Sequence, residues 1–493
     1  MLTLTIFLPL ITGLLVLVLP RRSPGLIRWV ALAGSLLTLL ATLVLWGGYD
    51  PAVSGLQWRR TLPWIPSIGA SYDIGLDGLS LPLFILTALL TTLVMVYVLP
   101  ERERVQAHAF MFLLMATGLL GAFAAQDLLL FYVFFEISLV PMYFIIGIWG
   151  SERRSYAAIK FFLYTRAGSL AMLLSFLGLY LAVEPHTFSL PAIVAAQPLA
   201  NAPVAAGLIL LGLVLGFGVK LPIVPLHNWL PDAHVEAPTE GSVILAGLLL
   251  KLGGYGLLRI MLPTLPEAAR QYGWILLALA LVSLVYGALA ALGQDDLKRL
   301  VAFTSINHMG YVMLGSAVWA LSDNPAVRQL ALNGALFQMV SHGLLTGGMF
   351  FLVGMLQHRA GTRSMERFGG LLGRVPLYSG LLGLLAFGSL GLPGMSGFIA
   401  EFQVLGATLG VSVWAAAIAL LGLIVTTGLY IRMLILVVMG APPENMPPVA
   451  PLTTRELVTV VPLAVLTLLI GILPGLVIQM INSTTQALAR IGG

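Results

Sequence analysis

Of the 493 residues in this chain, 59% are hydrophobic and only 9% charged, where a soluble domain carries roughly 25% charged residues; with a mean hydropathy of +0.99, a water-soluble globular protein is excluded. There is no cysteine, which removes disulfides, thiolate catalysis and cysteine-ligated iron–sulfur clusters, so any redox chemistry belongs to another chain. The net charge of +5 is read as membrane topology rather than as a nucleic-acid surface, because basic loops on one face of a bilayer give the same balance.

Apolar runs follow one another from end to end, each near the roughly 20 residues that cross a hydrocarbon core. Cut at proline, glycine and charge clusters, they give about 14 predicted spans. These fall at 2–19, 26–47, 78–99, 107–125, 127–149, 157–183, 204–230, 239–262, 272–293, 300–321, 328–357, 375–409, 412–440 and 457–481. The first run has no basic residue before it and no small-residue cleavage site, so it is expected to stay as the first helix. No polar segment between spans is long enough for a separate domain, and 1–493 is predicted to be a single integral membrane domain. The odd-numbered connections and their helix ends, with Arg21, Arg22, Arg102, Lys160 and Lys298 among them, hold about 15 basic residues against about 6 on the even side, which includes Arg259 and Arg328. The odd side is therefore expected to be cytoplasmic, with both termini external. Arg166, Lys220, Lys251 and Arg432 remain inside predicted spans.

Two spans are interrupted. The seventh reads FGVKLPIVPLHNWLPDAH, with Pro222 and Pro225 just after Lys220; each proline removes a backbone donor and clashes one turn back. In the twelfth, GSLGLPGMSGFIAEF, Gly391, Pro393, Gly394 and Gly397 precede Glu401. Broken helices survive in a membrane where the loosened backbone is buried in protein or lines a wet cavity. The breaks lie five spans apart, so the two helices cross in opposite directions, as an inverted repeat requires.

A charge at the bilayer centre costs at least about 2.5–3.5 kcal/mol, so such residues persist mainly where protons, ions or substrate move. Glu136 lies about nine residues, or 13 Å of helix, beyond Asp127. Lys220 is the expected cation for it, and their separation would control the charge of both. A structural ion pair is the alternative. Lys251, in ILAGLLLKLGGYGLLR, falls at mid-span, too deep to snorkel easily to an interface. His227, His234, His308 and His342 lie in or near spans, and imidazole passes protons through its two nitrogens. A haem pair or metal site is their rival use, but no HExxH or related spacing occurs. Arg166, expected in the first turns of the sixth span, is a possible second partner of Glu136 or an interfacial anchor. Arg432 has no partner evident from sequence.

The segment FGVKLPIVPLHNWLPDAHVEAPTEGSVILAGLLLKLGGYGLLR resembles the signature region of the antiporter-like subunits of respiratory complex I, NADH:quinone oxidoreductase, and the likeness runs over nearly the whole chain. The resemblance implies an all-α polytopic fold of 14 transmembrane helices. Helices 4–8 and 9–13, here 107–262 and 272–440, would form two inverted five-helix repeats with discontinuous helices 7 and 12. It implies one proton channel and no cofactor in this chain. Matched position by position, Glu136 takes the place of the helix-5 glutamate, Lys220 the helix-7 lysine, Lys251 the central helix-8 lysine and Glu401 the terminal helix-12 residue. The glutamate in GLPGMSGFIAEF and the LDGLSLP opening of helix 3 resemble M-type members (mitochondrial chain 4); L-like and N-like members usually carry lysine at the helix-12 position. Arg166 departs from the pattern, standing where many M-like chains are uncharged. The implied role is proton pumping coupled to electron transfer from NADH to quinone on other subunits. L-like and N-like neighbours and the lipid bilayer are the implied partners, in a bacterial plasma membrane. Two further readings stay open: a subunit of a multi-subunit cation/proton antiporter, and one of a photosynthetic or hydrogenase-linked relative of complex I.

Overall fold

The computed structural model describes residues 1–98 and 103–491; Arg102, counted above among the basic loop residues, lies outside them. Ten helices among these residues are long and apolar enough to cross a bilayer. In chain order the main helices begin with α1 (Leu2–Val18), α2 (Pro24–Gly47), α3 (Leu81–Tyr97), α4 (Val105–Ala124), α5 (Leu128–Trp149) and α6 (Arg154–Ala182). They continue through α7 (Pro203–Lys220), α8 (Trp229–Glu236), α9 (Thr239–Thr264), α10 (Gly273–Leu292), α11 (Leu297–Leu321) and α12 (Pro325–Ala360). The chain closes with α13 (Pro376–Ser389), α14 (Ser396–Leu409), α15 (Val413–Met439), α16 (Thr454–Ile472) and α17 (Gly475–Ala489).

The connections sort onto two faces. On one, Gln106 at the start of α4 donates to Leu19 O after α1 (2.6 Å), Ser151 after α5 donates to the Glu236 carboxylate (2.9 Å), and Arg359 at the end of α12 forks onto Glu456 at the start of α16 (2.8 and 2.5 Å). On the other, the α4–α5 corner holds Ser71 through Asp127 (2.8 Å), and Arg328 at the start of α12 donates to Ile491 O (2.8 Å). Besides the ten helices that length and hydropathy select, the shorter apolar helices α1, α3 and α13 are present among the described residues.

Three elements differ from the sequence reading. Between α2 and α3 stands an antiparallel hairpin, β1 (Gln57–Ile65) and β2 (Ala70–Leu76), on the second face. Its inner strand is buried, and Gly69 turns it at φ +65°. The last predicted span, 457–481, is two helices: α16 stops at Ile472, and α17 packs against the start of α12, where Asn333 donates to Asn482 Oδ1 (2.9 Å). Arg166 is the thirteenth residue of α6 rather than in its first turns.

The five-helix spacing recurs in the caps. Asp127 accepts from the backbone N–H groups of Leu129 and Leu130 (2.9 and 3.0 Å), and Asp296 from those of Lys298 and Arg299 (2.8 and 3.0 Å). Each such N-cap is worth about 1 kcal/mol. Each aspartate also bridges a serine ahead of an interrupted helix, Asp127 to Ser189 and Asp296 to Ser364.

Candidate functional site: a buried chain of proton-carrying groups

Both interrupted helices open where the sequence places proline and glycine. After α7 the chain runs unwound from Leu221 to Asn228 before α8. The freed polar groups are taken up internally: the Trp229 indole donates to Val219 O (2.9 Å), and Val224 N donates to the Ser283 hydroxyl (2.9 Å). Such satisfaction is obligatory at this depth. Gly253 of α9 makes the fit possible, since a Cβ there would stand 2.6 Å from both Phe217 O and Leu221 N. Between α13 and α14, Gly391 and Gly394 take φ +80° and +90°, a region that side chains disfavour. Gly391 also faces the Glu401 carboxylate, with Oε2 2.8 Å from where a Cβ would sit.

Lys251 is fully buried on α9, between two π-helical segments, Leu245–Leu249 and Leu257–Met261. Single π turns recur at functional sites because they redirect side chains and free carbonyls. Here Lys251 Nζ donates to Ala246 O, five residues back (2.5 Å), and reaches His342 Nδ1 of α12 at 2.6 Å. The His342 and His308 rings meet edge to face with centroids 5.6 Å apart. His308 Nδ1, on α11, lies 3.2 Å from Glu401 Oε1 of α14, and the Gln338 amide nitrogen lies 3.3 Å from the same ring nitrogen. Four proton-carrying side chains from four helices, each at most 4% exposed, thus form one file from Lys251 to Glu401.

The other predicted residues form a second group. Glu136 is ion-paired with Arg166 across α5 and α6, and the Tyr132 hydroxyl joins Arg166 at 3.4 Å. The expected direct pairing of Glu136 with Lys220 does not occur: Lys220 Nζ makes no hydrogen bond and sits 4.9 Å from the centroid of Phe135 and 5.9 Å from that of Phe161. Arg166, at mid-helix in α6, pairs with the carboxylate, while the Lys220 ammonium faces the Phe135 and Phe161 rings. The two remaining histidines stand apart from the file. His227 packs edge-on to Tyr286 (4.9 Å) and His234 stacks on Phe350 (4.5 Å), and neither ring makes a hydrogen bond.

Several charged groups were missed or misplaced by the sequence reading. His108 and Glu240 form a fully buried pair (2.9 Å), and Arg259, counted as a loop residue, is ion-paired with buried Asp77. Lys298, also counted as loop, is 3% exposed and donates to Ala237 O (2.5 Å). Arg432 is a rim residue, paired with Asp295 (2.7 Å) and donating to Gln294 O (3.0 Å). Glu240 at the head of an apolar run in APTEG was a usable signal; pairing partners so distant in sequence were not.

Comparison with known proteins agrees with this architecture. The family profile described as NADH:quinone oxidoreductase/Mrp antiporter, TM, matches residues 125–427. The chain is 38% identical to NADH-quinone oxidoreductase subunit M of Rhodobacter capsulatus, over 99% of this chain and 96% of that protein. It is 40% identical to NAD(P)H-quinone oxidoreductase chain 4 2 of Thermosynechococcus vestitus, over 99% and 92%. A chain of the respiratory complex I of Thermus thermophilus with bound NADH superposes with a TM-score of 0.90 at 33% identity, covering 100% of both. A chain of the Mrp complex from Dietzia shares the fold at 23% identity, with a TM-score of 0.85 over 100% of this chain and 52% of that one. This chain therefore belongs to the NADH:quinone oxidoreductase/Mrp antiporter family of membrane proteins, and within it is similar to the subunit M and chain 4 proteins.

Proposed function

We propose that this chain is the M-type proton-translocating membrane subunit of an NADH:quinone oxidoreductase, moving protons while electron transfer runs on other subunits. The observation that carries the reading is the buried file Lys251, His342, His308 and Glu401, which joins the middle of one half of the bundle to the broken helix of the other. An amine, two imidazoles and a carboxyl can each take and give a proton, so the file conducts without a metal-binding cage or a substrate pocket. Glu136, Arg166 and Lys220 act as the switch at its other end. Arg166 holds the carboxylate in one state, and the unpaired Lys220 takes it in the other; moving that charge changes the proton affinity of the next group.

Moving one proton against 100 mV costs about 2.3 kcal/mol, so energy must arrive from neighbouring chains. Arg166, with 41% of its side chain exposed on the α5–α6 surface, is where a further membrane subunit would cover this chain. The face bearing Ser151, Glu236 and Arg359 is cytoplasmic in this reading, and both termini are external in a bacterial plasma membrane. The chain holds no cofactor of its own. Glutamate rather than lysine at 401 sets it apart from the cation/proton antiporter reading. Lys220→Ala tests the function: assembly should be retained while proton translocation and quinone reduction fall together, and full activity in the assembled variant would refute an obligatory switch.

A further inference from the structure

The helices α2 and α16 both pack against α3 and both start on the face proposed as cytoplasmic, and each carries an arginine at its start: Arg28 is the fifth residue of α2 and Arg455 the second of α16. Arg28 is partly buried, and its Nε and Nη2 are enclosed without a hydrogen bond. The charged group near enough to act on it is a second cation, Arg455. The acid next in sequence, Glu456, is committed to the Arg359 guanidinium (2.8 and 2.5 Å) and to the Thr453 N–H (2.8 Å). Among the described residues, two guanidiniums thus stand together with no carboxylate between them. Enclosed donors of this kind call for an acceptor, and a basic pair at the cytoplasmic ends of membrane helices suits an anionic lipid headgroup. Trp29, 71% exposed beside Arg28, sits at the level of the headgroup zone, where amphipathic rings collect.

The same two helices frame a hydrophobic groove of about 240 Å³, floored by α3 and α12 and with α17 at its far end. Leu39, Leu43 and Trp46 of α2 and Leu466, Leu469 and Ile470 of α16 form its sides. Helical spacing puts Arg28 on the α2 face that carries Leu39, Leu43 and Trp46, and Arg455 on the α16 face that carries Leu466, Leu469 and Ile470. On each helix the groove begins eleven residues past the arginine, about 16 Å along the axis. One leaflet's hydrocarbon has about that depth, half of a core of roughly 30 Å. A charged site at the surface and a hydrophobic cleft near the midplane are therefore spaced as the two ends of one lipid molecule.

We propose that Arg28 and Arg455 bind the headgroup of an anionic diacyl phospholipid of the cytoplasmic leaflet, with one acyl chain laid along α3 between α2 and α16 and ending in the groove. The guanidinium forks recognise the phosphodiester by charge and by paired N–H donors. The groove takes hydrocarbon and offers it no polar contact. A carboxylate of a neighbouring membrane subunit would satisfy the arginines but would not fill a groove one leaflet deep, so the lipid is the better occupant. Bound there, it fastens α2 and α16 to α3 at the rim of the bundle.

The choice of leaflet rests on the orientation proposed above; the binding does not, and it is read without turnover. The assembled complex in bilayers is given phosphatidylglycerol or phosphatidylcholine of equal chain length, each with a photoactivatable group at the end of one acyl chain, and the labelled peptides are mapped. Phosphatidylglycerol should label 39–46 and 466–470, and phosphatidylcholine much less. Each basic residue facing anionic lipid contributes about a fivefold preference, so Arg28→Gln combined with Arg455→Gln should cut this labelling about 25-fold. Arg28→Lys combined with Arg455→Lys should keep most of it, and Leu466→Trp, which fills the groove, should abolish it. Equal labelling by both lipids, or labelling unchanged in the glutamine pair, would overturn headgroup recognition. No labelling of the groove by either lipid would show that another subunit covers it, and would overturn the lipid site. If the glutamine pair does not assemble, competition in the unaltered complex decides: unlabelled phosphatidylglycerol should displace the probe and phosphatidylcholine should not, and equal displacement overturns the proposal. If Arg28 proves to be external while the phosphatidylglycerol signal holds, the orientation above fails and the lipid site stands in the opposite leaflet.

Discussion

The most informative single position is His342, because replacing it separates holding Lys251 in place from moving its proton. Lys251 Nζ has two polar neighbours, Ala246 O at 2.5 Å and His342 Nδ1 at 2.6 Å. His342→Leu removes one and leaves a fully buried amine half-satisfied, a cost of about 1–3 kcal/mol. It also removes the ring that bridges Lys251 to His308, whose centroid lies 5.6 Å from that of His342. His342→Gln returns an acceptor to Lys251 but cannot relay a proton. Thermal stability of the assembled complex should therefore fall in His342→Leu and recover to within about 1 kcal/mol of wild type in His342→Gln. Turnover should fall by about 10²-fold in both, the usual contribution of a positioned proton carrier. The assay is NADH-driven proton uptake in sealed vesicles, with assembly and melting measured on the same preparations. Near wild-type pumping in His342→Gln would show that His342 only holds Lys251 in place, and the file would not be the path.

Two further predictions address the ends of the path. Glu136→Gln and Arg166→Gln should each depress coupled turnover, and the double variant should be little worse than either, because contacting groups in one switch couple strongly; additive losses would assign them to separate steps. At the other end, Glu401→Ala should abolish most translocation, since the carboxyl facing the Gly391 break is lost, while Glu401→Lys should keep a sizeable part because an amine also exchanges protons. Equal pumping by Glu401→Ala and wild type would discard Glu401 as the outlet.

The broken helices were readable from sequence because the breakers are clustered, Pro222 with Pro225 and Pro393 between Gly391 and Gly394, whereas the single prolines Pro9, Pro141 and Pro462 lie inside continuous helices. The depth of Lys251 and Glu401 followed from counting residues along apolar runs. Pairing was less legible, since which cation meets Glu136 depends on the rotation of α6 against α5, and Arg166 won the place expected for Lys220. Lys298 and Arg259 were hidden for a related reason. At a helix end a basic residue reads as a loop charge, and only the packing of the α8–α9 junction or of Asp77 reveals that it is buried. The β1–β2 hairpin was missed because its outer strand, QWRRTLPWI, mixes polar and apolar residues without a clear period.

The central claim is that protons cross this chain through Lys251. Its most direct test is the number of protons translocated, and the rate of NADH oxidation, in the assembled complex carrying Lys251→Met, reconstituted in liposomes. Methionine preserves the apolar stem and removes the exchangeable charge between the two π-helical segments. The account predicts that proton translocation and coupled oxidation collapse together while assembly is kept; an unchanged proton yield per NADH at wild-type turnover would contradict it.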